Sequence, residues 1–146
     1  MFGDLLRRMT APQPEPLTGD DSRLALAALL VRLARADGAY DDDEISRIDK
    51  VLAARFELNP PEVSSLRKDA ETLEAQAPDT VRFTRAIKGA VPYEDRTQVI
   101  EAMWEIVLAD GAREAEEDAL MRMIAPMLGV NDRDSAFARQ RVEQKK

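Results

Sequence analysis

The sequence predicts an all-α fold carrying an internal two-fold pseudo-repeat, on three observations. Apolar residues recur at three- and four-residue spacing along nearly the whole chain, and no segment alternates at period two between turn signals. Asn, Asp, Pro and Gly fall between these runs where helices start or stop. One acidic phrase occurs twice, as Ala36-Asp37-Gly38-Ala39-Tyr40-Asp41-Asp42-Asp43-Glu44 and as Ala109-Asp110-Gly111-Ala112-Arg113-Glu114-Ala115-Glu116-Glu117. The copies are 73 residues apart, and Leu26/Val99, Leu30/Met103, Leu33/Ile106 and Ile48/Met121 keep the same offset. Such a repeat suggests a duplicated helix-loop-helix with a carboxylate-lined loop in each half.

The elements follow in order. Phe2, Leu5, Leu6 and Met9 have helical spacing, and the Pro12, Pro14 and Pro16 segment after them cannot continue a helix. Residues 1–19 therefore read as a short amphipathic arm on a proline-rich tether, and residues 20–146 as the helical domain. Three uses of the arm stand open: folding back on the domain, pairing with a second subunit as a homo-oligomer, or resting on a membrane surface. The first two are favoured, because so short a helix buries little area in lipid.

Asp20 or Asp21 is placed to cap a first helix running through Ala36, with Leu24, Ala27, Ala28, Val31 and Ala34 on its apolar face. Asp41, followed three residues later by Glu44, has the logic of a capping box and opens a helix to Phe56 with Ile45, Ile48, Val51 and Leu52 inward. Asn59-Pro60-Pro61-Glu62 combines an N-cap, a proline at the first helical position and an acid at the third; this helix runs to about Ala75. Pro78-Asp79 restarts the chain for a helix with Phe83 and Ile87 that ends near Gly89. Helices from Tyr93 to Ala109 and from Glu114 to Leu128 repeat the earlier pair, and Asn131 caps a last helix whose end, Glu143 to Lys146, is expected to fray.

Composition narrows the function. At 146 residues and 45% hydrophobic, the chain can bury one core. The net charge is −7, concentrated where residues 37–44 and 110–118 each hold five acids. Such loops repel phosphate backbones, so no nucleic-acid partner is expected; they attract cations or a basic protein surface. There is no cysteine and no histidine. Thiolate sites, disulfides and Ser-His or Cys-His dyads are thereby excluded. No apolar run is long enough to span a bilayer and no signal peptide is evident, so the expectation is a soluble cytoplasmic protein.

Asp37 falls at the end of a helix, where the dipole disfavours an acid by a few tenths to about 1 kcal/mol. Gly38 in the left-handed conformation would end that helix and free carbonyl oxygens to face the loop. Asp37, Glu44, Asp110 and Glu117 are the primary candidate metal ligands, with Asp41, Asp43 and Glu114 as further candidates. An all-oxygen set suits calcium, magnesium or manganese; no organic cofactor is expected. For either copy alone, helix capping and turn formation are the favoured account; the repetition, with an Asp kept at the end of the first helix in both copies, brings cation binding level with it. The second copy lacks an acid equivalent to Asp42, and the glycine directly after the first aspartate departs from an EF-hand loop.

Leu33-Ala34-Arg35-Ala36-Asp37-Gly38 with Glu44, and Val107-Leu108-Ala109-Asp110-Gly111 with Glu117 and Leu128-Gly129-Val130, resemble the signature of the tellurite-resistance TerB family, which the N-terminal domain of a membrane-anchored J-domain co-chaperone shares. The resemblance covers roughly residues 22–142. It implies a compact bundle of about seven helices with a two-fold pseudo-repeat. It also implies a divalent-metal site at Asp37, Glu44, Asp110 and Glu117, and a link to chemical stress or tellurite.

Of the remaining residues, Trp104, Met103, Met121, Met123 and Met127 are expected in the core, with a methionine-rich partner groove as the alternative. Arg96, after Tyr93-Glu94-Asp95, stands in reach of an acidic loop. Three functions follow. The favoured one is a non-enzymatic, cation-responsive binding module in a stress response, with a protein partner. The second is a metal-free acidic interaction scaffold. The third, a hydrolase using paired carboxylates or a metal-activated water, is least favoured, because no nucleophile-base set or phosphate-cradling loop is visible.

Overall fold

A computed structural model describes residues 19–35, 40–76, 84–85, 87–89, 92–108 and 115–144, with 19–22, 115–118 and 120 described as backbone only. The expected arm and proline tether, and Lys145 and Lys146 of the end expected to fray, lie outside these residues. Among the described residues the chain is all-α, with no strand. Its helices are α1 (Gly19–Ala34), α2 (Asp42–Phe56), α3 (Pro60–Gln76), α4 (Tyr93–Val107), α5 (Ala115–Met127) and α6 (Asp132–Gln144). Residues 84–85 and 87–89 are also helical, within the segment expected to carry a helix with Ile87, which is buried.

The most extensive contacts are α1 against α3 and α4 against α6, and α1 also meets α2, α4 and α5. The sequence assigned α1 a single apolar face. Instead, Ala27, Ala28, Leu29, Leu30 and Val31 are all fully buried, and consecutive helical residues point all round the axis. α1 is therefore enveloped, which the run Leu24-Ala25-Leu26-Ala27-Ala28-Leu29-Leu30-Val31 fits better than an amphipathic stripe does.

Local chemistry sets the helix ends. Asn59 and Glu62 form a complete capping box: the Asn59 N–H donates to Glu62 Oε1 and the Glu62 N–H to Asn59 Oδ1, both at 2.9 Å. Asn131 caps α6, accepting from the Asp134 N–H at 2.7 Å. Asp20 and Asp21 are inside the first turn of α1, because that helix begins at Gly19. α6 stays helical through Glu143 and Gln144, where buried Val142 anchors its last turn.

α5 ends in a Schellman motif. Gly129 is left-handed (φ 76°), its N–H donates to the Pro126 carbonyl, and the Val130 N–H donates to the Ala125 carbonyl, both at 2.9 Å. Arg96 adds a bond from Nη1 to the Leu128 carbonyl at 2.8 Å. The acidic loops that Arg96 was expected to reach, residues 36–39 and 109–114, lie outside the described residues; the contact described is to the helix end, whose last carbonyls lack intrahelical donors.

Trp104 is buried, with Nε1 donating to the Ser135 hydroxyl at 3.2 Å, and Met103 and Met121 are buried as expected. Met123 is not; it stands 38% exposed on the outer side of α5.

Candidate functional site

The first acidic phrase is described from Tyr40 onward. Asp41 has extended backbone and its Oδ1 accepts from the Glu44 N–H at 3.0 Å, which is the N-cap expected of it. Asp42 and Asp43 occupy the first turn of α2 and are exposed, where they complement the positive end of the helix dipole.

Glu44 differs from these neighbours. It is only 6% exposed, whereas Glu62, at the same position relative to its own cap, is exposed. Capping chemistry alone leaves an N3 carboxylate in water, as Glu62 shows, so the burial of Glu44 has a further cause. Taking a carboxylate out of water is costly unless charge or hydrogen bonds offset it.

The base of this phrase is held by α3. The Tyr40 hydroxyl donates to Glu71 Oε2 at 2.6 Å, and the Arg35 guanidinium lies over the Tyr40 ring, 4.8 Å from its centroid. Arg67 donates from Nε to Asp49 at 2.7 Å and from Nη1 to Glu71 at 3.4 Å. Arg35 Nη1 also meets Glu74 Oε1 at 2.8 Å, so Arg35 and Tyr40, the described residues on either side of 36–39, are both tied to α3. Burial, then the bond to Glu71 and its charge, push the Tyr40 phenol well above its ordinary value of 10.0.

Sequence reasoning missed Tyr40, Arg67, Glu71 and Glu74 in this role. One signal was present: Tyr40 immediately before the cap, with Ile45 at the fourth helical position, is the pattern of a hydrophobic staple.

Of the seven candidate ligands, the structure brings Asp41 and Glu44 together and places Asp43 beside them in the first turn of α2. Asp37, Asp110 and Glu114 lie outside the described residues, and Glu117 is described only as backbone within α5. Among the described residues, no three acids are grouped to hold a metal ion. No described helix is long and apolar enough to cross a membrane.

α2 and α5, which carry the two acidic phrases at their starts, each follow a longer helix (α1 or α4) and precede an Asn-capped one (α3 or α6). No curated protein and no solved structure matches the chain. The family model described as "Tellurite resistance protein TerB" matches residues 23–140, all six helices but the first turn of α1 and the last of α6 included, and the chain belongs to the TerB family.

Proposed function

We propose that this chain is a non-enzymatic binding module of the tellurite-resistance type, in which the two acidic helix starts hold a divalent cation and a helical face engages a protein partner. The observation that carries this reading is the recurrence of the acidic phrase at two helix starts, with Glu44 of the first copy drawn into the fold. A buried carboxylate at the head of an acidic turn fits a hard cation, and oxygen ligands alone select calcium, magnesium or manganese. Asp37 and Glu44 would supply the first copy's ligands, Asp110 and Glu117 the second's, and Asp41 has one oxygen committed to its cap. The cation would neutralise the charge clustered between α1 and α2.

The test is a thermal melt of metal-stripped protein refilled with calcium, magnesium or manganese. Saturation at 100-fold over the dissociation constant should add about 2.7 kcal/mol. The gain should vanish in Asp37→Asn combined with Asp110→Asn, and shrink in Glu44→Gln. A melt indifferent to stripping and refilling would overturn the cation reading and leave the metal-free acidic scaffold.

A further inference from the structure

Among the described residues three large apolar side chains are exposed: Tyr93, Met123 and Phe137. Two of them are screened, because Arg96 lies 5.2 Å from the centroid of the Tyr93 ring and Arg133 lies 5.5 Å from that of Phe137. Met123 stands instead in an apolar row. Ala119 and Pro126, one turn before and one turn after it on α5, are exposed as well, and Met127 is half-buried. The buried face of α5, through Met121, Ile124 and Ala125, is on the other side of the helix, so this row is additional to the core. The pseudo-repeat shows that the row is not what this place in the fold requires. At the offset of 73 residues, Ala119, Met123 and Pro126 correspond to Ser46, Lys50 and Ala53 of α2. Ser46 and Lys50 are exposed and polar, as the outer face of a helix is in water.

The chain itself holds a matching row. Phe2, Leu5, Leu6 and Met9 recur at helical spacing, and Phe2 to Met9 has the same separation as Ala119 to Pro126, about 10.5 Å in a helix. Charge sets the direction. The arm carries Asp4 before Arg7 and Arg8, α5 carries Glu116 and Asp118 in its first turn, and the exposed Lys88 lies against Gly129 just past its end. With the two helices antiparallel, Met9 near Ala119 and Phe2 near Pro126, each charge falls toward its opposite and the helix dipoles are opposed.

Size selects an occupant on the same chain. α5 has 13 residues and is about 20 Å long. One face of such a helix falls short of the roughly 800 Å2 per partner of a standard interface between separate molecules. A tethered segment needs less, because a short linker holds it at an effective concentration of about millimolar. Residues 10–18 reach about 28 Å in the extended form that their prolines favour. They end at α1, which α5 contacts directly.

We propose that residues 2–9 dock in cis as a short helix on the outer face of α5, antiparallel to it, with Leu5 and Leu6 on Met123 and with Arg7 and Arg8 toward Glu116 and Asp118.

Two readings on the full chain test this. In the parent protein, the backbone carbon shifts of residues 2–9 should be helical and unchanged on dilution, and tryptic cleavage after Arg7 and Arg8 should be slow. Met123→Asp should return those shifts to coil values and speed that cleavage at least about tenfold, with the melting curve retained. Met123→Leu should preserve both readings, and so should Lys50→Asp at the equivalent place on α2. Leu6→Asp, which lies outside the helical body and leaves it folded, should move the amide signals of residues 119–127 and not those of residues 46–54. Coil shifts for residues 2–9 in the parent overturn the proposal, as does an arm that responds equally to Lys50→Asp, or amide signals of α5 that ignore Leu6→Asp. Helical shifts that fade on dilution overturn docking in cis and make the occupant a second copy.

Discussion

Arg32 grips Glu74 across a sequence separation of 42 residues, with Nε at 3.1 Å and Nη2 at 2.9 Å from the same carboxylate oxygen and Nη2 at 3.2 Å from the Glu74 carbonyl. Both side chains are mostly buried, at 14% and 11% exposure, and Arg35 takes the other carboxylate oxygen. This triad joins the end of α1 to the end of α3. Glu74→Gln keeps the shape and removes the charge, and it should lower stability by about 1–3 kcal/mol. Urea denaturation would show a lower midpoint with an unchanged slope.

A cluster of four charged residues links the two halves. Arg55 of α2 meets Glu101 and Glu105 of α4, and Arg141 of α6 reaches Glu101 at 3.0 Å. Arg55 is 17% exposed and Arg141 51% exposed, so similar ion pairs should count very differently. Arg55→Met is expected to cost about 1–3 kcal/mol, because two carboxylates lose their shared cation. Arg141→Met should cost about 0.5 kcal/mol or less, and 1 M salt should erase even that.

Two left-handed helix ends among the described residues predict opposite signs. Glu57 closes α2 at φ 53°, a conformation that glycine adopts without strain, so Glu57→Gly should stabilise by about 0.5–1 kcal/mol. In a chain this long, the melting temperature should rise by about 1–4 °C. Gly129→Ala should destabilise by at least about 1 kcal/mol. Its Cβ would meet Arg96 Nη1 at 2.8 Å and Lys88 Cε at 3.1 Å, in addition to the backbone strain.

Alkaline pH should reveal Tyr40. Its folded-state pKa is raised above the ordinary 10.0, chiefly by burial and by the bond to Glu71. The protonated phenol is therefore the form the fold favours. That contribution is complete below pH 10 and is lost as pH rises through the folded value. Tyr93 is raised too, first by its hydrogen bond to Asp134. Phenolate absorbance should thus appear late for both tyrosines, and Tyr40→Phe should remove the later component. The same substitution should lower neutral-pH stability by about 1–3 kcal/mol, since the lost bond is to a carboxylate.

Most helix boundaries were legible because their signals are local. Asn59-Pro60-Pro61-Glu62 and Asn131 with Asp134 carry their own hydrogen-bond partners within four residues, so spacing alone reveals them. Inter-helix chemistry is different in kind. Nothing near Arg32 in sequence points to Glu74, and Arg96 finds the Leu128 carbonyl only because α4 and α5 are brought together. The candidate site shows the same division: Asp41 and Glu44 were legible as a cap, whereas the burial that separates Glu44 from Glu62 depends on the surrounding helices. Met123 was placed in the core on periodicity, yet the buried face of α5 runs through Met121, Ile124 and Ala125 toward Leu128 just beyond it.

The enveloped first helix has a consequence for how the chain is made. α1 leaves the ribosome before α2 to α6, and α4 and α5, which close two of its sides, come much later. At about 5–20 residues per second, that leaves its leucine-rich surface without its final neighbours for several seconds. A nascent chain halted before α4 therefore displays a sticky segment that the finished protein never shows, and safe biogenesis depends on shielding that segment until translation is complete.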